Sequence, residues 1–158
     1  MSSLLVATRN QGKVLELHAM LADRFDQIFS MRDFPTMPET IEDGVTFQEN
    51  ALKKAREACA FSGMETLADD SGLVVPLLGG EPGVYSARYA GENAGDNENN
   101  AKLIAELERL GIMHPPAIFV CCLAYVRPAG FEQTFIGEVH GVITAFTAGD
   151  QGFGYDPL

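Results

Sequence analysis

Leu4-Leu5-Val6-Ala7-Thr8-Arg9-Asn10-Gln11-Gly12-Lys13 begins as a short apolar run and stops at a polar turn. The turn ends in Gly-Lys at the mouth of an amphipathic segment. A buried strand that breaks into a helix in this way aims backbone N–H groups, an amide, a hydroxyl and a lysine at one point, and that point suits a phosphate group. The loop is not of the Walker A type, because Ala7 stands where the leading glycine belongs and Val14 where a Ser or Thr belongs. Read alone, it is also a plain strand-to-helix turn capped by Asn10 or Thr8.

Working outward, Val14, Leu17, Leu21 and Phe25 recur at helical spacing, which predicts a helix from Lys13 to about Phe25 with Glu16, Asp23 and Arg24 on its wet side. Gln27–Met31 reads as a short second strand and Asp33–Gly44 as an acidic loop with two prolines. Thr46-Phe47-Gln48-Glu49 has the capping-box pattern, with Thr46 as N-cap and Glu49 reaching back. The helix it opens runs through an alanine-rich stretch to Gly63. Thr66–Asp69 and Leu73–Leu78 read as strands flanking a turn at Asp69-Asp70-Ser71-Gly72. Gly79–Gly95 reads as a long loop. Asp96 caps a third helix with Ala101, Ile104, Leu107 and Leu110 facing inward and Gly111 as its stop. Ile118–Val126 is strand-like, and Arg127-Pro128-Ala129-Gly130 turns the chain into a β segment over 132–145. Strands alternating with helices, followed by a hairpin, indicate a mixed α/β sheet.

At 158 residues, 46% of them hydrophobic, the chain has the size and core material of one domain. No apolar run approaches the roughly 18 residues of a membrane span, and Met1-Ser2-Ser3 has no basic n-region, so no membrane partner is expected. The formal charge of −11 argues against a nucleic-acid surface but not against a small phosphate ligand, since a divalent ion can bridge carboxylates to phosphates. Cys59, Cys121 and Cys122 show neither a disulfide framework nor metal-ligand spacing, which suits a reducing, cytoplasmic setting.

The second chemical signal is Asp69-Asp70. Adjacent carboxylates repel, and burying either without a cation is expensive. In a turn they can converge on Mg²⁺, which prefers oxygen ligands and keeps waters that can serve as nucleophiles. The plain alternative is a solvated turn with Ser71-Gly72. The order Asp-Asp-Ser does not fit the D-x-D pattern of haloacid dehalogenases, and the pair lies too far from the N-terminus for a phosphoreceiver domain. Phe153-Gly154-Tyr155-Asp156 places aromatics beside an acid, suited to stacking on a base and bonding its edge. His18, His114 and His140 have no triad partner.

Five segments taken in order resemble one family. Leu5–Lys13, Phe47–Ala51, Ala68–Leu73, Pro82–Tyr89 and Gly152–Pro157 are similar to the inosine/xanthosine triphosphate pyrophosphatases, the bacterial RdgB-type dITP/XTP diphosphatases. The resemblance runs through the whole chain. It implies an elongated mixed sheet with flanking helices, two lobes and a central cleft, as a homodimer. It also implies Mg²⁺-dependent hydrolysis of inosine, deoxyinosine and xanthosine triphosphates to the monophosphate and pyrophosphate. On that resemblance Thr8, Arg9, Asn10, Gln11, Gly12 and Lys13 hold phosphates, and Lys54 adds a further phosphate contact. Asp70 is the general base and a metal ligand, Glu42 a second metal ligand, and Ser71 touches substrate. Phe153, Gly154, Tyr155 and Asp156 grip the purine. The family continues to a lysine and a Ser-His-Arg segment absent from these 158 residues, so the expectation is one such domain lacking its C-terminal segment. The readings left beside this one are a pyrophosphatase for other modified nucleotides and a non-catalytic nucleotide-binding module.

Overall fold

The computed structural model describes residues 2–144. Five strands form one sheet in the order β2-β1-β3-β4-β5: β1 (Ser3–Val6), β2 (Gln27–Ser30), β3 (Glu65–Val74), β4 (Pro116–Val126) and β5 (Glu132–Val142). The helices are α1 (Gln11–Leu21), α2 (Phe47–Ser62) and α3 (Asp96–Arg109). The mixed open sheet with flanking helices is thus the expected architecture. The chain divides into two compact units. The first holds the residues up to Asp70 together with Cys122–Ile136, and the second holds Ser71–Cys121 and the residues from Gly137 onward.

In the first unit β1 is an interior strand, lying between β2 and β3. It pairs in parallel with β2, Leu4 opposite Ile28 and Leu5 opposite Phe29, and in parallel with β3, Leu5 opposite Thr66 and Val6 opposite Leu67. Alternate residues then feed two cores. Leu5, Ala7, Ala68, Cys122 and Ala124 pack against Ala51, Ala55, Ala58 and Cys59 of α2. Leu4, Val6, Leu67, Leu123 and Tyr125 pack against Val14, Leu17, Leu21 and Phe25. The period of two along the strands therefore sorts α1 and α2 onto opposite faces. Leu4, Leu5 and Val6 are 1% exposed or less, as befits a central strand covered on both sides.

The first helix ends at Leu21 rather than near Phe25; a turn closed by Arg24 N–H on the Leu21 carbonyl still delivers Phe25 to the same core. The second helix begins at the expected cap, where Thr46 Oγ1 accepts from Glu49 N–H at 3.1 Å, and stops at Gly63, whose φ of 72° is the left-handed conformation glycine adopts without strain. Glu49 reaches back one residue further than the capping box predicts and accepts from Val45 N–H at 2.8 Å.

In the second unit Leu73, Val75, Leu103, Leu107, Ala117 and Ile143 form the core. The inward face of α3 carries Asn99, Leu103 and Leu107; of the four residues expected there Leu107 is buried and Ile104 half-buried, whereas Ala101 and Leu110 are exposed. The reason is Asn99. Its carboxamide accepts from Ala90 N–H at 2.8 Å and donates to the Ala87 carbonyl at 3.0 Å, so a polar residue takes a place on the buried face. The same pairing ties down part of the segment read as a long loop, which also contains a short 3₁₀ helix at Gly83–Arg88.

One correction bears directly on chemistry. Asp69-Asp70-Ser71-Gly72 is not a turn, because β3 runs unbroken from Glu65 to Val74. Consecutive residues of a strand point to opposite faces, so the two carboxylates diverge instead of converging.

Candidate active site

The chain moves from β1 to β2 on one side and then to β3 on the other, so a topological switch point lies beside the carboxyl end of β1. Open α/β sheets bind ligands there. The turn Thr8–Asn10 leaves the sheet at this place. Ala7 N–H still bonds the Leu67 carbonyl at 2.8 Å, holding the turn against β3. Thr8 Oγ1 accepts from Asn10 N–H at 3.2 Å, and Asn10 Oδ1 accepts from Lys13 N–H at 3.2 Å, so Asn10 is the N-cap of α1. Thr8 stiffens the turn one residue earlier. The cap reading and the phosphate reading are therefore compatible, since a capped helix N-terminus still presents first-turn N–H groups and a positive dipole end.

β1 has ended at Val6, opposite Leu67, but β3 continues, which carries Asp69 and Asp70 past the edge of β1. Asp69 shares the face of Leu67 and meets α1: Lys13 Nζ lies 2.5 Å from Asp69 Oδ2, with the carboxylate side chain only 3% exposed. Asp70 shares the face of Ala68 and meets α2: Asn50 Nδ2 donates to Asp70 Oδ2 at 3.3 Å. Lys54, one helical turn beyond Asn50, donates to the Asp69 backbone carbonyl at 2.9 Å and forms an ion pair with Glu42. The N-terminal turn and the acidic doublet thus lie together, as expected, and the lysine of the turn is paired with Asp69.

The electrostatics separate the two carboxylates by role. Asp70 is 7% exposed, and its carboxyl is pushed up to about 6. Desolvation is the main cause. The Lys54 charge opposes it, the Glu42 charge adds to it, the Asn50 hydrogen bond opposes it and the Asp69 charge adds a smaller rise. Burial also penalises the Lys54 ammonium. The Glu42 charge and hydrogen bond, helped by the charges of Asp69 and Asp70, outweigh that penalty and hold its pKa above the ordinary lysine value. A carboxyl titrating near neutrality at a switch point is suited to taking a proton.

A cavity of about 150 Å³ opens beside these groups, lined among others by Thr8, Arg9, Met37, Glu39, Glu42 and Lys54. Pockets that enclose a whole small ligand begin at about 300 Å³, so this one has room for only part of such a molecule. A larger cavity of about 390 Å³ lies in the second unit between Ile104, Leu107, Ile112 and Ile143, but its lining is mainly apolar.

No group of three His, Cys, Asp or Glu side chains among the described residues is placed to hold a metal ion. Asp70 and Glu42 still fit Mg²⁺, which commonly takes one or two carboxylates and completes its shell with water and phosphate oxygens. The observation favouring that fit is the raised Asp70 carboxyl: two acids near one another in a desolvated place are what a dication relieves.

Of the residues the sequence singled out, Thr8, Arg9, Asn10, Gln11, Gly12 and Lys13 form the turn and the start of α1, and Glu42, Lys54 and Asp70 meet beside it. Ser71 is the next residue of β3 and belongs to the second unit. Phe153, Gly154, Tyr155 and Asp156 lie outside the described residues. Sequence reasoning gave no role to Asn50, although a polar residue one turn before Lys54 and next to the buried Ala51 carried the signal.

A switch point with a capped helix N-terminus, two half-buried lysines and a buried carboxyl beside them defines an α/β protein equipped to handle an anionic ligand. The sequence profile of the Ham1 family matches residues 4–158, and the chain belongs to that family. It is 54% identical over 158 residues to a protein of Geobacter sulfurreducens named dITP/XTP pyrophosphatase, spanning 100% of this chain and 79% of that one. Among solved structures, a HAM1 protein from Coxiella burnetii superimposes with a TM-score of 0.88 at 36% identity, covering 100% of this chain and 81% of the other. A nucleoside-triphosphatase (dITP/XTP pyrophosphatase) from Mycobacterium abscessus gives 0.80 at 40% identity, covering 99% and 82%.

Proposed function

We propose that this chain hydrolyses non-standard purine nucleoside triphosphates (dITP, ITP and XTP) to the monophosphate and pyrophosphate, cleansing the nucleotide pool. The observation that carries the reading is geometric: the buried Asp70 carboxylate, held by Asn50, lies with Glu42 and Lys54 beside the Thr8–Lys13 turn. Membership of the Ham1 family, and relatives named dITP/XTP pyrophosphatase, support the substrate class.

The chemistry follows from these residues. Water adds to a phosphorus of the α–β anhydride, Asp70 accepts the water proton, and the bond to the leaving pyrophosphate breaks. The first turn of α1 and the lysines Lys13 and Lys54 meet the charge on the phosphate oxygens. Lys13 does so by exchanging its bond to Asp69 for one to phosphate. Asp70 and Glu42 would hold Mg²⁺, which when bound supplies charge neutralisation on the phosphates and a polarised water. Discrimination against ATP comes from donors aimed at a 6-keto oxygen, which a 6-amino group leaves unpaired.

The same reading makes the enzyme a cytoplasmic homodimer. No helix among the described residues is long and apolar enough to cross a membrane. Among the described residues β5 is an edge strand, and its exposed Phe135, Ile136, Val139 and Val142 favour a paired state.

Pyrophosphate release measured on dITP, XTP and ATP with Mg²⁺ tests the proposal. Turnover of dITP and XTP at least about a hundredfold above ATP is expected. Equal rates on all three would overturn the selectivity, and no turnover of any would overturn the activity.

A further inference from the structure

We propose that Asn50 is a positioning residue that locks the Glu42-bearing loop and Asp70 into one constellation through the two ends of its carboxamide. The inference rests on the proposed hydrolase reading and adds to it a residue that acts through Asp70 and the Glu42 loop. Asn50 is fully buried, on a helix face where its neighbours Ala51 and Ala55 are also fully buried. Its Oδ1 accepts from Gly44 N–H at 2.7 Å, and its Nδ2 donates to Asp70 Oδ2 at 3.3 Å, with the Gly44 carbonyl at the edge of reach at 3.5 Å.

The orientation of the amide follows from its partners. A carboxylate only accepts and a backbone N–H only donates, so nitrogen faces Asp70 and oxygen faces Gly44. Aspartate at this position would keep the acceptor and lose the donor. Alanine would lose both. Glutamine would be a methylene too long for a helix seated this close to β3.

Gly44 supplies independent evidence that the fit is tight. A Cβ at that position would sit 2.7 Å from Asn50 Oδ1 and 2.8 Å from Glu49 Cβ, distances that side chains do not tolerate. The loop can approach Asn50 only because residue 44 is glycine. Two residues earlier the same loop carries Glu42, which is paired with Lys54. Asn50 therefore holds the loop from below while bonding the carboxylate that Glu42 must stand beside.

Three variants test this, read by dITP turnover and, separately, by amide exchange of Gly44 in the metal-free protein. Asn50→Asp keeps an acceptor for Gly44 N–H but replaces the donor to Asp70 by a second buried carboxylate that repels it. It should retain Gly44 protection while kcat falls at least about tenfold with KM within threefold. Asn50→Ala should lose both the protection and at least about tenfold in kcat. Gly44→Ala, whose Cβ would push the loop away from Asn50 and Glu49 while both Asn50 and Asp70 keep their identities, should reproduce the exchange and, in the folded fraction, the kcat loss. A role confined to packing would instead lower stability and leave kcat of the folded fraction unchanged. Wild-type kcat in folded Asn50→Asp or Gly44→Ala protein overturns the positioning role. An unprotected Gly44 amide in the wild type overturns the geometry whether or not dITP is hydrolysed, whereas a protected amide in a wild type that turns over no triphosphate refutes the hydrolase reading and, with it, the catalytic half of this one.

Discussion

Replacing Asp70 by Asn should make the protein more stable and leave it without turnover, and the two effects have one cause. The Asp70 carboxyl stands at about 6 in the folded chain against an ordinary value of 3.8. The folded state therefore binds the proton more tightly than the unfolded state does. Below pH 3.8 the carboxyl is protonated in both states and costs nothing. As pH rises from 3.8 through about 6 the unfolded chain gives up its proton first, so stability falls across that window and the loss is complete above it. With each pKa unit worth about 1.4 kcal/mol, the buried charge costs about 3 kcal/mol at neutral pH. Asparagine removes the charge, keeps an oxygen for the Asn50 donor and fills the same space. In a chain of this size about 3 kcal/mol moves Tm by roughly 6–12 °C. The assay is chemical denaturation of both proteins in chelator at pH 4 and pH 7.5, with pyrophosphate release from dITP measured in parallel. The stability gap should be present at pH 7.5 and nearly closed at pH 4, and kcat should fall by roughly a hundredfold or more. An Asp70→Asn protein no more stable than the wild type at pH 7.5, or a gap that does not close with acid, would refute the desolvation argument. Full activity would refute the role as base.

Two further outcomes follow from the site. Lys13→Met should destabilise the fold by about 3 kcal/mol, because it leaves the nearly inaccessible Asp69 carboxylate without its cation; a melt unchanged from wild type would show that the pair contributes nothing. Stripping divalent ions should abolish pyrophosphate release, and Mg²⁺ titrated back should restore it and raise Tm in the wild type but raise it much less in Asp70→Asn; full turnover in chelator would exclude Asp70 and Glu42 as a necessary metal site.

Much of the architecture could be read from periodicity and caps. Val14, Leu17, Leu21 and Phe25 line one core as their spacing requires, and Thr46 and Gly63 bound α2 where their chemistry places them. The misreadings share a physical origin, which is polar residues held inside by partners distant in sequence. Asp69-Asp70-Ser71-Gly72 looks like a turn because isolated acids beside Ser-Gly favour one, yet Lys13 and Asn50 take up the two carboxylates and strand pairing continues. Asn99 belongs to the inward face of α3 only because the backbone at Ala87 and Ala90 needs its amide. The site was legible as a juxtaposition of turn and acids. The division of labour between Asp69 and Asp70, and the bond from Asn50, required knowing which face of the strand each residue occupies.

That division makes β3 intolerant of a change in length. Deleting or inserting one residue between Thr66 and Asp69 would exchange the outlooks of the two acids, presenting the would-be base to α1 and the strut to α2. Substitutions can be absorbed one position at a time, but a single-codon indel here inverts both functions at once, whereas the irregular stretch before Gly44 has no such parity to lose.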